Sequence, residues 1–247
     1  MSETLDEIMT QIFSPELGWS QTDQEVLNYC PSYSDLEALA SLLKDEPREE
    51  DLQQFLENYP QFLMGICGWG YDAPLAFLVK PSVGTSFNAD LAVLAYGQGG
   101  CRIYLIEIKR SAEDLYIKSG GQAEKLREAV RQIEDRNIWL KRGGNIHTFV
   151  RDMLEHAKTL PQYPNRAENN SFRLRSPQGI EEAWRTFGGY DAAIIDHIII
   201  IGRWAKLLEC SRRRLISHNR DNSQLYRIFT YDQVARHGFD RPYFLPP

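Results

Sequence analysis

The sequence lacks several features that would assign its 247 residues to a familiar class of protein. No window of about 18 or more apolar residues is present, which argues against a transmembrane helix. The four cysteines lie far apart without a Cys-x-x-Cys pair, so they favour reduced thiols over a zinc site or a disulfide framework. The glycine-rich stretch 97–100 is not followed by Lys-Ser or Lys-Thr, which argues against a nucleotide-binding P-loop. Together with an acidic N-terminus that has no secretory apolar core, these absences predict a cytoplasmic protein.

Charge is distributed unevenly along the chain, although the net charge is only −6. Residues 1–79 contain fifteen acidic and two basic residues, a net charge of −13, whereas residues 80–247 contain 26 basic and 19 acidic residues, a net charge of +7. Binding of a polyanion depends on a local basic face, because phosphate neutralisation and counterion release are local. The asymmetry therefore fits a nucleic-acid partner, and it fits equally well a solvated acidic segment that offsets a mildly basic body.

A proline break divides the chain into a short N-terminal part and a larger main part. Apolar residues at helical spacing predict a helix over 2–12, and Ser34 with Glu37 forms a capping-box pattern at the start of a second helix. Pro47 ends that pattern. Residues 1–46 are therefore predicted to be a small helical extension, and residues 47–247 the main domain.

The main domain alternates helical and strand patterns in an order typical of an α/β fold. A helix predicted from 49 to 62 opens it, and strands over 75–80, 90–96 and 101–110 follow, the last two joined by the glycine-rich connection. After them the pattern predicts helices over 120–141 and 146–160, a loop over 161–179, an isoleucine-rich central strand over 194–201, a basic helix over 204–214, a strand over 226–230 and a closing helix that begins at the Thr230–Gln233 capping box. We predict a mixed central sheet flanked by helices.

Two charged residues interrupt the apolar strand predicted over 101–110. Because side chains alternate along a strand, Glu107 and Lys109 share a face with Ile103 and Leu105. Burial of either charge alone is unfavourable, so another charged group must compensate it. A divalent cation held by Glu107 and by Asp90, at the mouth of the neighbouring antiparallel strand, would do so.

Metal-assisted hydrolysis of a phosphodiester needs this set of groups. Two carboxylates and a backbone carbonyl, such as that of Ile108, are hard oxygen ligands suited to Mg²⁺. A bound metal polarises the phosphate and lowers the pKa of a bound water, and Lys109 would orient that water or stabilise the charge that develops on the phosphate. The alternative is an ordinary Glu107–Lys109 ion pair at the end of a strand, with Asp90 unrelated to it.

The order of Asp90, then Glu107-Ile108-Lys109 on the next strand, then a long helix resembles the core of the PD-(D/E)xK, or restriction-endonuclease-like, nucleases. More closely, the chain resembles the Shedu family of bacterial anti-phage nucleases. Four features carry that resemblance in the expected order between about 49 and 237: segments 49–60, 105–110 and 129–135, and the pair 200–203 with 230–232. The sequence departs from the family's usual Pro-Asp, since Ala89 precedes Asp90.

The resemblance implies a restriction-endonuclease-like α/β fold and a DNA endonuclease that uses Mg²⁺, with Mn²⁺ as a possible substitute, in phage defence and as a homo-oligomer. It also implies supporting roles for Gln132, which would hold Lys109 or the attacking water, and for Glu49, as a metal or water contact. Basic side chains commonly make phosphate contacts that do not depend on base sequence, and the candidates late in the chain are Arg203, Arg212, Arg213 and Arg214.

Two other classes of protein remain open at this point. One is a catalytically silent DNA-binding or sensor module on the same fold. The other is an interaction protein whose acidic N-terminal segment binds a basic partner.

Overall fold

The computed structural model describes residues 31–67, 73–97, 100–186, 193–221 and 223–239. The helix predicted over 2–12 and the centre of the glycine-rich connection lie outside the described residues. The elements are, in chain order, α1 (Tyr33–Lys44), α2 (Glu49–Asn58), α3 (Gln61–Met64), β1 (Ala73–Val79), β2 (Ser82–Val83), β3 (Phe87–Asn88), β4 (Leu91–Gly97), β5 (Gly100–Ile108), α4 (Glu124–Leu140), α5 (Asn145–Thr159), β6 (Phe172–Arg173), α6 (Pro177–Thr186), β7 (Ile194–Ile200), α7 (Glu209–Arg220), β8 (Tyr226–Phe229) and α8 (Tyr231–Phe239).

Six of the strands form one mixed sheet in the order β6-β1-β4-β5-β7-β8, and β2 and β3 pair separately. Strands β6, β1, β4 and β5 pair antiparallel, whereas β5 pairs parallel with β7 and β7 parallel with β8. Helices cover both faces of this sheet. The structure thus confirms the predicted α/β class with a mixed central sheet flanked by helices.

Alternation along β5 directs its side chains to two different layers of helices. Tyr104, Ile106 and Ile108 are buried in a core with α1, α2, α3 and α8. Ile103 and Leu105 face α5 and α6 on the other side. On that same side α4 and α7 cover β7 and β8, where Ile199 lies in register with Glu107. Glu107 therefore faces α4.

Helix α1 packs into the same core as the sheet. Its buried residues Leu36, Leu39, Ala40 and Leu43 lie in one cluster with Ile106 and Ile108 of β5. The part of the predicted extension 1–46 that forms α1 thus packs as part of the main domain. For residues 1–30, a separate helical extension stays a prediction.

Several element boundaries differ from the predicted ones for local reasons. Ser32 rather than Ser34 caps α1, because its hydroxyl accepts the N–H of Asp35, whose carboxylate accepts the N–H of Ser32 in return. Helix α2 ends at Asn58, before the proline at 60 that cannot continue it. The predicted loop 161–179 contains β6 and the start of α6, and the basic helix begins at Glu209 rather than at 204. The Thr230–Gln233 capping box is confirmed.

None of the described helices is both long and apolar enough to cross a membrane.

Candidate active site

Four elements meet at one edge of the sheet. The register of β4 and β5 places Leu91 opposite Ile106, so that Asp90 lies where β5 ends. The backbone confirms this closeness, since the N–H of Asp90 donates to the carbonyl of Ile106 over 3.2 Å. The first residue of α2, Glu49, and the buried face of α4 reach the same edge. The hairpin therefore brings Asp90 and Glu107 together, as predicted.

Glu107 is a buried carboxylate with a buried cationic partner. Its Oε1 accepts a hydrogen bond of 2.5 Å from Nη2 of Arg136, and the two side chains are 5% and 2% exposed. Burial raises the pKa of Glu107 above its ordinary value, Arg136 and Lys109 oppose the rise, and the negative charge of Asp90 adds to it. The negative charge of Asp90 thus lies close enough to act on the Glu107 carboxylate.

Asp90 is partly exposed and held by the strand that carries Glu107. Its Oδ2 accepts the backbone N–H of Ile108 over 2.7 Å. This contact fixes Asp90 against the residue that follows Glu107, and it uses one of the two carboxylate oxygens.

Lys109 extends from the end of β5 towards α2. Its Nζ donates to Oε1 of Glu49 over 3.1 Å, with the lysine side chain 8% and the glutamate side chain 38% exposed. Its backbone is held on both sides, because its N–H donates to the carbonyl of Ile200 over 2.8 Å and its carbonyl accepts the hydroxyl of Tyr231 over 2.8 Å. Burial, together with the negative charges of Glu49 and Asp90, raises the pKa of the buried Tyr231.

The charges of Glu107 and Lys109 are compensated by protein groups rather than only by the cation that the sequence suggests. Arg136 offsets Glu107, and Glu49 offsets Lys109. The need for compensation therefore does not by itself indicate a metal ion.

The oxygens that remain fit a divalent cation. At this edge Asp90 Oδ1, Glu107 Oε2 and Glu49 Oε2 accept no hydrogen bond from the described residues. No group of three or more His, Cys, Asp or Glu side chains in that part of the chain is placed to hold a metal. Mg²⁺ commonly binds through one or two carboxylates and completes its shell with waters and substrate phosphates. Two acids with one spare oxygen each, beside the backbone of Ile108, match this pattern.

Helix α4 contributes a different residue from the one that sequence reasoning selected. Gln132 is exposed, whereas Arg136, one turn later, points into the protein and contacts Glu107. A signal for Arg136 was present, because it falls in the apolar stripe of the helix with Leu126, Ile133 and Leu140. Arg136 interrupts the apolar face of a helix in the same way that Glu107 interrupts the apolar face of a strand.

The structure places Arg203, one of the predicted DNA contacts, in the interior rather than on the surface. Arg203 is 2% exposed, and its guanidinium lies against the carboxylate of Asp232, with Nε 3.0 Å from both oxygens. The backbone N–H of Trp204 donates to the same carboxylate over 2.6 Å. Arg203 thus joins the end of β7 to α8 and cannot reach a phosphate, because it is buried.

The three consecutive arginines of α7 do not form one face. Successive residues of a helix are rotated by about 100°, and each of these arginines has its own neighbour. Arg212 lies over the Trp204 ring, Arg213 pairs with Glu209, and Arg214 donates to the carbonyl of Gly120. Arg213, with a side chain that is 79% exposed, and Arg214 are exposed to solvent, whereas Arg212 is partly buried.

Comparison with known proteins indicates the family of the chain. No curated protein matches the chain. A family model described as Shedu protein SduA, C-terminal, matches residues 46–234. The match spans all eight described strands and includes Glu49, Asp90, Glu107 and Lys109. Because it covers well over half of the sequence, the chain belongs to the Shedu family.

Proposed function

We propose that this chain is a Mg²⁺-dependent endonuclease that hydrolyses phosphodiester bonds of DNA. The observation that supports the proposal most directly is the meeting of two partly used carboxylates, Asp90 and Glu107, with the ammonium group of Lys109 at one edge of the sheet. An acid pair for a cation and a nearby lysine are the groups that metal-assisted phosphodiester hydrolysis requires.

Membership in the Shedu family suggests a role in defence against phage. Phage DNA is the substrate that joins this role to the proposed chemistry. A homo-oligomeric assembly and a cytoplasmic location belong to the same proposal, the first from the family resemblance and the second from the separated cysteines.

Each residue of the site has a distinct role in the proposed reaction. Asp90 and Glu107 hold the metal, with the backbone carbonyl of Ile108 as a further ligand. When bound, Mg²⁺ polarises the phosphate and makes a coordinated water more acidic. Lys109 exchanges the partly exposed Glu49 for a phosphate oxygen or for the attacking water, and it stabilises negative charge as the bond breaks. Gln132, exposed on α4, is proposed to contact the water or Lys109 from the solvent side.

A catalytically silent DNA-binding or sensor module is the second candidate. The observation that favours it is the pairing of both charges with protein groups, Glu107 with Arg136 and Lys109 with Glu49. Such pairs are sufficient to keep the charges in place without catalysis.

One assay separates the two candidates. The purified protein is incubated with supercoiled and linear DNA in Mg²⁺, Mn²⁺, Ca²⁺ or EDTA. We expect cleavage with Mg²⁺ and Mn²⁺, and none with EDTA or with Ca²⁺, which is larger and a poorer Lewis acid. DNA binding without cleavage in every metal would favour the silent module, and cleavage in EDTA would contradict the metal mechanism.

A further inference from the structure

Arg136 is a buried cation on the otherwise apolar face of α4. It is 1% exposed, beside the buried Ile133 and Leu140 of the same helix. A single nitrogen, Nη2, makes both of its hydrogen bonds: one of 2.5 Å to Glu107 Oε1 and one of 2.8 Å to the backbone carbonyl of Asn88. The side chain therefore bridges two segments of the chain.

The bridged segments are those that carry the two carboxylates. Asn88 ends β3 and lies two residues before Asp90, so the Arg136 bridge links the Glu107 side chain to the backbone next to Asp90. A second link runs in the opposite direction, because the N–H of Ile108, next to Glu107, donates to Asp90 Oδ2 over 2.7 Å. Two links between the same segments restrict both the separation and the orientation of the carboxylates.

We infer that Arg136 is a positioning residue that sets the placement of Glu107 relative to Asp90 for a divalent cation. By engaging Oε1 of Glu107 it fixes the rotamer of the carboxylate and leaves Oε2 for the metal. Partners that orient metal ligands in this manner are a regular part of metal sites. The inference rests on the proposed function, since it assumes that the two carboxylates bind a metal.

Charge neutralisation alone does not explain how Arg136 is placed. An arginine that only neutralises a carboxylate is best placed in a two-pronged contact with both oxygens. Here Nε and Nη1 of Arg136 have no hydrogen-bond partner among the described residues, and Nη2 divides its protons between the carboxylate and the carbonyl of Asn88. Arg136 therefore contacts one oxygen of Glu107 and the carbonyl of Asn88, rather than both oxygens of Glu107.

This single-nitrogen bridge leads to a specific expectation for two substitutions. Arg136→Lys keeps the charge and supplies several donors on one nitrogen, so it can make both bonds. Arg136→Met retains much of the volume and has no donor. The test is the binding of Mn²⁺ to the full-length protein without DNA, measured by isothermal titration calorimetry below the unfolding temperature of each variant.

We expect Arg136→Met to weaken Mn²⁺ binding by about 10-fold to 100-fold, the usual effect of removing a residue that orients a ligand. Arg136→Lys is expected to bind within about threefold of the unmodified protein, because its amine restores the bridge. Should Arg136→Met not fold, Arg136→Gln replaces it, since the amide is too short to reach both acceptors and the same loss is expected.

The matched control is Arg203→Met. Arg203 is equally buried in an ion pair, with Asp232, and contacts neither Asp90 nor Glu107. It is expected to lower the unfolding temperature in the same manner as Arg136→Met and to leave Mn²⁺ affinity unchanged.

The outcomes distinguish the inference from the function on which it rests. Unchanged Mn²⁺ affinity in folded Arg136→Met or Arg136→Gln, or a loss in Arg136→Lys as large as in Arg136→Met, would overturn the positioning role and leave the metal site intact. An equal loss in Arg203→Met would overturn it too, because the effect would then follow from lost stability. Absence of Mn²⁺ binding by the unmodified protein would overturn both the metal site and the inference.

Discussion

Two buried arginine–carboxylate pairs in this protein have nearly the same exposure and different chemistry. The side chains of Arg136 and Glu107 are 2% and 5% exposed, and those of Arg203 and Asp232 are 1% and 6% exposed. Asp232 is saturated, because Arg203 contacts both of its oxygens and the N–H of Trp204 donates to one of them. Glu107 has a hydrogen bond on one oxygen only, among the described residues.

Burial of an ion pair therefore does not by itself indicate a functional site, and the free oxygen of Glu107 beside a second acid is the feature on which the proposed metal site depends. A saturated buried pair is a structural element that joins segments, as Arg203 and Asp232 join β7 to α8. An unsaturated pair retains the ability to bind a cation.

Asp90→Asn is expected to cause the largest loss of cleavage. The amide oxygen can still accept the N–H of Ile108, so the fold should persist, but a neutral ligand binds the metal poorly. A metal supplies several kcal/mol of transition-state stabilisation, so cleavage should fall about a thousandfold. The rate of plasmid nicking as a function of Mg²⁺ concentration measures this, and high Mg²⁺ should recover part of the loss.

The same acid-to-amide change at the saturated pair, Asp232→Asn, should act on stability instead. Removing one partner of a buried ion pair lowers the free energy of unfolding by about 3–5 kcal/mol, because the other charge is left uncompensated. Urea denaturation gives the loss, and cleavage per folded molecule should stay near that of the unmodified protein. A stable Asp232→Asn protein without cleavage would place Asp232 in the active site. It would contradict the distinction between the saturated and the unsaturated pair.

Glu49→Gln tests whether Glu49 only holds the ammonium group of Lys109 or also binds the metal. If Glu49 only holds the ammonium group, the amide oxygen replaces it, and cleavage should fall about tenfold or less, equivalent to one weakened charge-assisted hydrogen bond. Stability should change by less than about 1 kcal/mol, since the glutamate is partly exposed. A loss as large as that of Asp90→Asn, with recovery at high Mg²⁺, would instead make Glu49 a third metal ligand.

Replacing Arg212, Arg213 and Arg214 together by alanine should have the smallest effect. Because their side chains diverge around α7, at most one is expected to contact a phosphate. The slope of the logarithm of the DNA-binding constant against the logarithm of salt concentration should then fall by about 0.9 or less. Fluorescence anisotropy over a series of salt concentrations measures the slope. A decrease equivalent to three phosphate contacts would show that all three arginines face the DNA.

The meeting of Asp90 and Glu107 could be predicted from the sequence because it depends on local geometry. Alternation along β5 and a short antiparallel connection to β4 are sufficient to bring the two acids to one edge. The central strand at 194–200 and the Thr230–Gln233 cap are equally local, and both were predicted.

The partners from other parts of the chain could not be predicted in the same way. Arg136 reaches Glu107 across 29 residues, and its pairing depends on how α4 lies on the sheet. The sequence makes Arg203 a candidate DNA contact because it does not show that this side chain is buried in an ion pair with Asp232. A buried and a solvated arginine look alike in a sequence until the packing of distant elements is known.

The most direct test of the active site is the cleavage rate of Lys109→Ala, measured together with its folding and its Mn²⁺ affinity. If Lys109 acts on the transition state, the variant should fold and bind Mn²⁺ nearly as the unmodified protein does. Its cleavage should fall by at least about two orders of magnitude, the usual loss when one positioned electrostatic group is removed, and added Mg²⁺ should not restore it. Cleavage by folded Lys109→Ala at a rate near that of the unmodified protein would contradict the assignment of this edge of the sheet as the active site.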